Sequence, residues 1–256
     1  MSIQNLTRED GVAIVYGGAV LGGGGGGVIS EGLEIARTAT TLGKIELRSL
    51  NAFEDDALFA TISGVGAPAA AQRYYLPVDE TRATTLLNNK LSGRLAGLIP
   101  CENGPTASLS GWISSAMLGI PVVDAPADGR AHPTGLMGAM GAHNIAAYKS
   151  IQAVSGGDPE KVRYVSLIVE GSLETNAKIV RNTSVLAGGM VKVARDPLPV
   201  DYLRKNAAVG GITQALDIGR CILENEGSNA ETIIDAIADR TGGRIVATGD
   251  IAVLDL

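Results

Sequence analysis

The sequence predicts an α/β fold, in which a mostly parallel or mixed sheet is flanked by helices and a glycine-rich loop lies near the carboxyl-terminal edge of the sheet. Strand-like apolar segments alternate with helix-like segments, which is typical of parallel pairing. Hydrophobic residues make up 45% of the chain and charged residues 19%, as in globular proteins. Residues 22–27 are six consecutive glycines, flanked by apolar sequence and not by the polar sequence of a linker.

The glycine run predicts a bare backbone loop whose N–H groups line a binding site. Glycine lets other groups approach the backbone closely, and a helix start after such a loop favours an anion. The run does not fit the P-loop pattern, because Val28 and Ile29 stand where Lys and Ser or Thr are needed.

Length and composition limit the classes of protein to consider. The 256 residues fit a single α/β domain (1–256), with a weak possible subdivision near 156–159 that a loop would explain equally well. A net charge of −6 argues against a nucleic-acid partner. No apolar run is long enough to cross a membrane and no leader is recognisable, so we expect a cytoplasmic protein. Cys101 and Cys221 are expected to be free thiols.

The first helix has two competing interpretations. Thr7 and Asp10 resemble a capping box, which predicts a buried helix that ends at the glycines. Alternatively, residues 12–16 form a strand and 17–27 a dinucleotide-type loop, with Glu46 as the ribose partner or simply as part of a solvated strand face. We favour the helix because its cap signal is explicit.

The remaining elements follow from apolar periodicity and from glycine and proline punctuation. The predicted strands are 44–50, 57–63, 95–99, 120–124, 162–170, 190–194 and a final strand-like segment at 244–256. The predicted helices are 29–41, 79–91, 106–118, 175–187, 211–224 and 229–240.

Three loops follow predicted strands: 64–68, 100–105 and 124–133. The carboxyl ends of parallel strands meet at one edge of a sheet, so we expect these loops to converge. The second loop offers Cys101, either as a nucleophile activated by a helix end or as a small half-buried side chain, and Glu102 as a site carboxylate.

The third loop holds Asp124, Asp128, Arg130 and His132, and the other histidine, His143, follows later in the chain. Two carboxylates and an imidazole could bind a divalent metal such as zinc, with Asp124, Asp128 and His132 as ligands. The spacing matches no tight metal signature, and a structural Asp–Arg pair within a turn explains the same residues.

A set of segments resembles the DUF917 family, whose characterised members are S-methyl thiohydantoin desulfurases, some of them described as hydantoinase-like. The matching segments, in order, are AVLGGGGGG (19–27), GVGAP (64–68), ENG (102–104), LGIPVVD (118–124), DGRA (128–131), KNAAVGG (205–211) and ALDIGR (215–220). The resemblance covers nearly the whole chain. It implies hydrolytic attack on a five-membered cyclic imide or thio-imide, helped by a metal or an activated water.

The resemblance suggests Glu102, Asp124 and Asp128 as catalytic residues. The candidate substrate-binding residues are Gly24, Gly25, Gly26, Gly66, Asn103, Gly104 and Arg130. Two departures matter: family members usually have an apolar or small residue at position 101, and they continue into a β-rich C-terminal domain that we expect this chain to lack.

These observations predict a hydrolase or lyase that acts on a small cyclic amide or imide, such as a hydantoin or thiohydantoin. The alternative is a non-catalytic or incomplete subunit that binds a small ligand and needs a partner chain. A nucleotide-dependent enzyme is the third candidate. We expect a homo-oligomer or a complex with a second subunit.

Overall fold

The computed structural model describes residues 3–67, 70–250 and 252–253, and its strands form one sheet. The strands are β1 (Ile3–Leu6), β2 (Ile45–Arg48), β3 (Leu58–Gly66), β4 (Leu95–Pro100), β5 (Val122–Val123), β6 (Ser150–Gly156), β7 (Val165–Gly171) and β8 (Met190–Pro199). Their order across the sheet is β1-β2-β5-β4-β3-β8-β6-β7. The pairs β2–β5, β5–β4 and β4–β3 are parallel, whereas β1–β2, β3–β8, β8–β6 and β6–β7 are antiparallel. The predicted α/β fold with a mixed sheet is confirmed.

Helices cover both faces of this sheet. They are α1 (Arg8–Gly22), α2 (Ile29–Leu42), α3 (Pro77–Lys90), α4 (Trp112–Leu118), α5 (Leu173–Leu186), α6 (Val200–Asn206), α7 (Gly211–Glu224) and α8 (Ala230–Thr241). Helices α1, α2, α4 and α7 bury their apolar side chains against β2 and β5, and α3 packs beside them against β3 and β4. Helices α5 and α6 lie against the opposite face, over β8.

The α1 interpretation is confirmed by a complete capping box. Thr7 Oγ1 accepts the Asp10 N–H at 3.1 Å, and Asp10 Oδ2 accepts the Thr7 N–H at 3.0 Å. The competing strand and dinucleotide loop are therefore wrong. Glycines let α1 approach α7 closely, since a Cβ on Gly17 would lie 1.8 Å from the carbonyl oxygen of Ala215. Glu46 forms ion pairs with Lys44 and Arg48 near the surface, as expected for a solvated strand face.

Several boundaries differ from the prediction for local reasons. The helix predicted at 106–118 is divided into a 3₁₀ turn and α4, because Gly111 adopts a φ of 92° between them. The strand predicted at 120–124 shrinks to two residues after Pro121. The strand predicted at 190–194 continues to Pro199 with an irregular register and leads into the unpredicted α6. Strand β7 begins at Val165 because Val162 is left-handed and exposed.

Two strands were not predicted, and one predicted strand is wrong. Strands β1 and β6 are absent from the prediction, and the possible subdivision near 156–159 falls at the end of β6 and the start of the loop that leads to its antiparallel neighbour β7. Residues 244–250 and 252–253 do not form a strand, and none of them is part of the sheet. The rest of the predicted terminal strand lies outside the described residues. Within the described ranges, no helix has the length and apolar character that crossing a bilayer requires.

Candidate active site

A cavity of about 520 Å³ lies at the carboxyl end of β4, beside the last residues of β3. All three predicted loops contribute to its wall. Gly64 and Gly66 reach it from β3, Cys101 and Glu102 follow β4, and His132 comes from the third loop. Pro68, the last residue of the first predicted loop, lies outside the described residues. The predicted convergence of these loops is therefore found where the parallel part of the sheet ends.

Glu102 and His132 form a pair in this wall. The His132 backbone N–H donates to Glu102 Oε2 at 2.9 Å, and the His132 Nε2 atom lies 3.2 Å from the same oxygen. The glutamate side chain is only 12% exposed. Burial raises the pKa of the Glu102 carboxyl above its usual range, although the N–H and ring of His132 oppose this shift. A carboxyl group with a raised pKa next to an imidazole is suited to acid–base chemistry.

The His132 ring is held by several contacts. Its Nε2 atom also lies 3.4 Å from the Cys101 carbonyl oxygen, and a Cβ on Gly138 would lie 2.4 Å from the ring. Its Nδ1 atom is buried and has no hydrogen-bond partner among the described residues. Because a carbonyl oxygen only accepts, Nε2 carries the hydrogen of its contact with Cys101, and Nδ1 is left as a buried acceptor without a partner among the described residues.

Cys101 lies in the same wall but does not have the character of a nucleophile. Burial, helped by the charge of Glu102, raises the pKa of the Cys101 thiol to about 12. The predicted lowering of this pKa by a helix end is not found. The thiol stays uncharged near neutral pH, and the thiolate is the reactive form of cysteine.

Strand β8 supplies two buried cations that the sequence analysis did not single out. Lys192 is 8% exposed and Arg195 is 5% exposed, and both line the cavity. Neither forms a salt bridge with a carboxylate in the part of the chain that the structure describes, although Lys192 Nζ lies 4.4 Å from the centre of the Tyr75 ring. Buried cations normally have a partner, so an anionic or strongly polar ligand group would stabilise this site.

The glycine run forms part of the same wall. Gly26 and Gly27 line the cavity, and the Gly26 carbonyl oxygen accepts the N–H groups of Thr106 and Ala107. Gly26 has a φ of 78°, and a Cβ there would lie 2.6 Å from Gly104 Cα, so the loop requires glycine at this position. The N–H groups of Gly26 and Gly27 have no acceptor within the described ranges and remain available to a ligand.

Other glycines predicted to bind substrate support this loop instead of lining the cavity. Gly104 packs directly against Gly26, and a Cβ on Gly25 would lie 2.6 Å from the Ala131 side chain. At Gly24, no atom of the described residues lies within 4 Å of such a Cβ. The loop thus meets the 128–131 turn and the loop after β4 on one side of the molecule.

The remaining predicted site residues are not part of the cavity wall and make structural contacts instead. Asp124 Oδ1 accepts the N–H groups of Ile212 and Thr213 at the start of α7, at 2.8 and 3.1 Å. Asp128 Oδ1 accepts the Arg130 N–H at 3.3 Å, and the Arg130 side chain is exposed.

Asn103 is fully buried, and its side-chain amide forms hydrogen bonds to three separate parts of the chain. It donates to the carbonyl oxygens of Gly129 and Gly211 and accepts the Ser108 hydroxyl. These contacts use its side chain to join the loop after β4 to the third loop and α7.

The predicted metal ligands are not brought together. No group of three or more His, Cys, Asp or Glu side chains in the described parts of the chain has the arrangement of a metal site. Asp124 bonds to α7 while His132 faces Glu102, so these donors do not fit a shared zinc ion. A metal cofactor therefore stays a prediction.

Comparisons with known proteins agree with the resemblance seen in the sequence. A model of the S-Me-THD-like N-terminal domain matches residues 9–161, and a model of the S-Me-THD-like C-terminal domain matches residues 172–255. The expectation that the chain resembles only the N-terminal domain is therefore wrong.

A crystal structure of a protein from Chromobacterium violaceum is similar, with a TM-score of 0.76 and 21% sequence identity. The match covers 93% of this chain and 67% of that one, and at this identity it supports the fold alone. No curated protein matches the sequence. The two domain matches, which follow each other along most of the sequence, show that the chain belongs to the S-Me-THD-like family.

Proposed function

We propose that the protein is an enzyme that hydrolyses a small cyclic amide or imide of the hydantoin or thiohydantoin type. The observation that carries this proposal is the Glu102–His132 pair in the wall of a cavity that is also lined by two buried cations, neither of which has a carboxylate partner among the described residues. A cavity of about 520 Å³ has the size of a small-molecule site.

The proposed reaction is attack of water on an electrophilic ring carbon, which forms a C–O bond and breaks either the ring C–N bond or, in an S-methyl ring, the C–S bond. The Glu102–His132 pair accepts a proton from the water and returns it to the leaving atom. During the attack, negative charge develops on the exocyclic atom that is doubly bonded to the attacked ring carbon, which in a hydantoin gives an oxyanion. Lys192, Arg195 and the free N–H groups of the glycine loop provide positive charge and donors for that oxyanion, or for a carboxylate on the substrate.

The test is an activity screen with the purified chain. Hydantoin, 2-thiohydantoin and S-methyl-2-thiohydantoin are offered, and ring opening or thiol release is followed spectroscopically. We expect turnover of at least one ring. Glu102→Gln should lower kcat/KM by about 100-fold, because the replacement amide cannot exchange a proton in this pH range.

The matched control is Glu226→Gln, which makes the same change at an exposed position outside the cavity wall. It should keep wild-type activity, and both variants should keep the wild-type melting temperature to within a few degrees. Full activity of Glu102→Gln would refute the proposed role. Binding without turnover, followed by activity once a second polypeptide is added, would instead support the incomplete-subunit alternative.

A further inference from the structure

Strand β3 extends beyond the end of its parallel neighbour. The register with β4 stops at Ile62 and Pro100, and the Cys101 N–H makes the last contact, 3.1 Å from the Ile62 carbonyl oxygen. Strand β3 continues to Gly66 and stays paired with β8 along its other side. Residues 63–66 therefore have a partner strand on one side and the cavity on the other.

The backbone of Gly64 faces the cavity side of this strand. Because the Ile62 carbonyl points towards β4 and strand groups alternate with a period of two, the N–H and C=O of Gly64 point the same way. No described strand pairs with them there, and no turn or side-chain hydrogen bond reaches them among the residues described. Gly64 is exposed although the three residues before it are buried.

Neither conformation nor packing explains a glycine at this position. Gly64 has no positive φ, and among the described residues a Cβ there would meet only Met190 Sδ, at an ordinary 3.4 Å. Gly66 differs, because its φ is 150° and a Cβ there would clash with the Gly189 carbonyl oxygen at 2.0 Å. A glycine inside a strand that local structure does not require often marks a place where a ligand approaches the backbone.

We propose that the unpaired edge of β3 at Gly64 binds the amide group of the substrate ring. A cyclic amide or imide presents an N–H and a C=O side by side. The Gly64 carbonyl would accept the ring N–H while the Gly64 N–H donates to the ring C=O, as in an antiparallel pair that exchanges both bonds. The cyclic-amide ligand rests on the proposed function, whereas the edge is a feature of the fold.

This arrangement assigns Gly64 the role of a positioning and specificity-determining residue. A ring whose nitrogen carries a methyl group in place of hydrogen leaves the Gly64 carbonyl unpaired and collides with it. Sites built around such hydrogen bonds discriminate strongly against ligands that lack the donor. The structure thus predicts selection for rings with a free N–H next to a carbonyl.

The test measures binding, separately from turnover. Hydantoin and its two mono-N-methyl derivatives are titrated into the full chain by calorimetry, and the amide resonance of Gly64 is followed by NMR. We expect methylation of one ring nitrogen to weaken binding at least about tenfold and hydantoin to shift the Gly64 resonance. Gly64→Ala should weaken hydantoin binding by a similar factor, because its methyl group narrows the approach to the edge.

Gly129→Ala is the matched control, since within the described part of the chain a Cβ there meets only the Ala208 side chain, at 3.7 Å, and Gly129 is not part of the cavity wall. It should bind hydantoin as the wild type does. Binding that ignores both methyl groups and leaves the Gly64 resonance unmoved overturns the inference, as does a wild-type chain that binds none of the rings. If Gly64→Ala does not fold, the methyl series and the resonance decide.

The outcomes also separate this inference from the proposed function. Binding that depends on the ring N–H but leads to no turnover supports the β3 edge and refutes the hydrolase. Turnover that is unchanged by N-methylation supports the hydrolase and refutes binding of the ring N–H at the β3 edge.

Discussion

Glu102 and Asp124 follow two neighbouring parallel strands, β4 and β5, and the sequence assigns both to the same chemistry. Their surroundings differ. Asp124 receives two N–H groups from the first turn of α7 and the Thr213 hydroxyl, so its oxygens already have partners within the fold. Glu102 is bonded to His132 in the wall of a cavity. A carboxylate at a strand end is therefore a catalytic candidate only when the fold does not already use its oxygens.

The different lengths of the two strands explain this contrast. Strand β5 ends at Val123, and the Asp124 carbonyl oxygen accepts the Gly210 N–H at 2.9 Å, which places the aspartate beside the start of α7. Strand β4 continues to Pro100 before the chain turns. Glu102 lies after this turn in the wall of the cavity, where the hydrogen bond that its carboxylate accepts among the described residues comes from the His132 backbone N–H.

The largest effect expected from the contrast between Glu102 and Asp124 is on stability, at Asp124. Asp124→Ala removes the acceptor for the first turn of α7 and should lower the free energy of unfolding by about 2 kcal/mol, as for other lost helix caps. Urea denaturation measures this change. Activity per folded molecule, assayed well below the melting temperature, should remain close to that of the wild type. A variant with normal stability and no activity would show that Asp124 acts in the chemistry after all.

The second effect concerns pH, at Glu102. Its folded-state pKa is raised by burial, so between the unfolded and folded pKa values the folded protein binds more protons than the unfolded chain. The contribution of this group to stability is therefore fully present below the unfolded pKa and is lost as pH rises through the folded pKa. Glu102→Gln does not titrate. The melting temperature of Glu102→Gln minus that of the wild type should therefore increase as pH is raised from 4 to 7.

Melting curves of the two proteins at matched ionic strength measure this difference, with Glu226→Gln as the control that should show no such trend. A difference that stays constant with pH would mean that burial does not perturb Glu102. The contrast with Asp124 would then rest on geometry alone.

Local signals in the sequence were sufficient for much of the fold. The capping box at Thr7 and Asp10 is a four-residue pattern with a direct structural meaning, and it identified α1 correctly. Strand β6 was missed because Ser150, Gln152 and Ser155 interrupt its apolar character although all three are buried. The pairing of β6 with β7 and β8 stabilises it as a strand, and such pairing is not visible within a short window of sequence.

The candidate site was predictable only where the parallel strands define it. Glu102 and His132 follow from strand ends that converge at one edge of a sheet. Lys192 and Arg195 come from the antiparallel part, and only the pairing of β8 with β3 brings them to the cavity. The sequence does contain a signal for Lys192, because a lysine between Val191 and Val193 in an apolar segment indicates a charged side chain with a functional role. Recognising that role required the sheet order.

The smallest expected effect is on activity, at Cys101, the neighbour of Glu102 in the loop after β4. Cys101 and Glu102 both line the cavity, yet the Cys101 thiol has a pKa of about 12 and stays uncharged at neutral pH. Cys101→Ser should therefore change kcat by no more than about threefold, since a nucleophilic role needs the thiolate. Iodoacetamide at pH 8 should also label the native protein slowly, because Cys101 and Cys221 are both buried. A loss of activity in Cys101→Ser as large as that in Glu102→Gln would make the thiol the attacking group and reverse the roles of the two side chains.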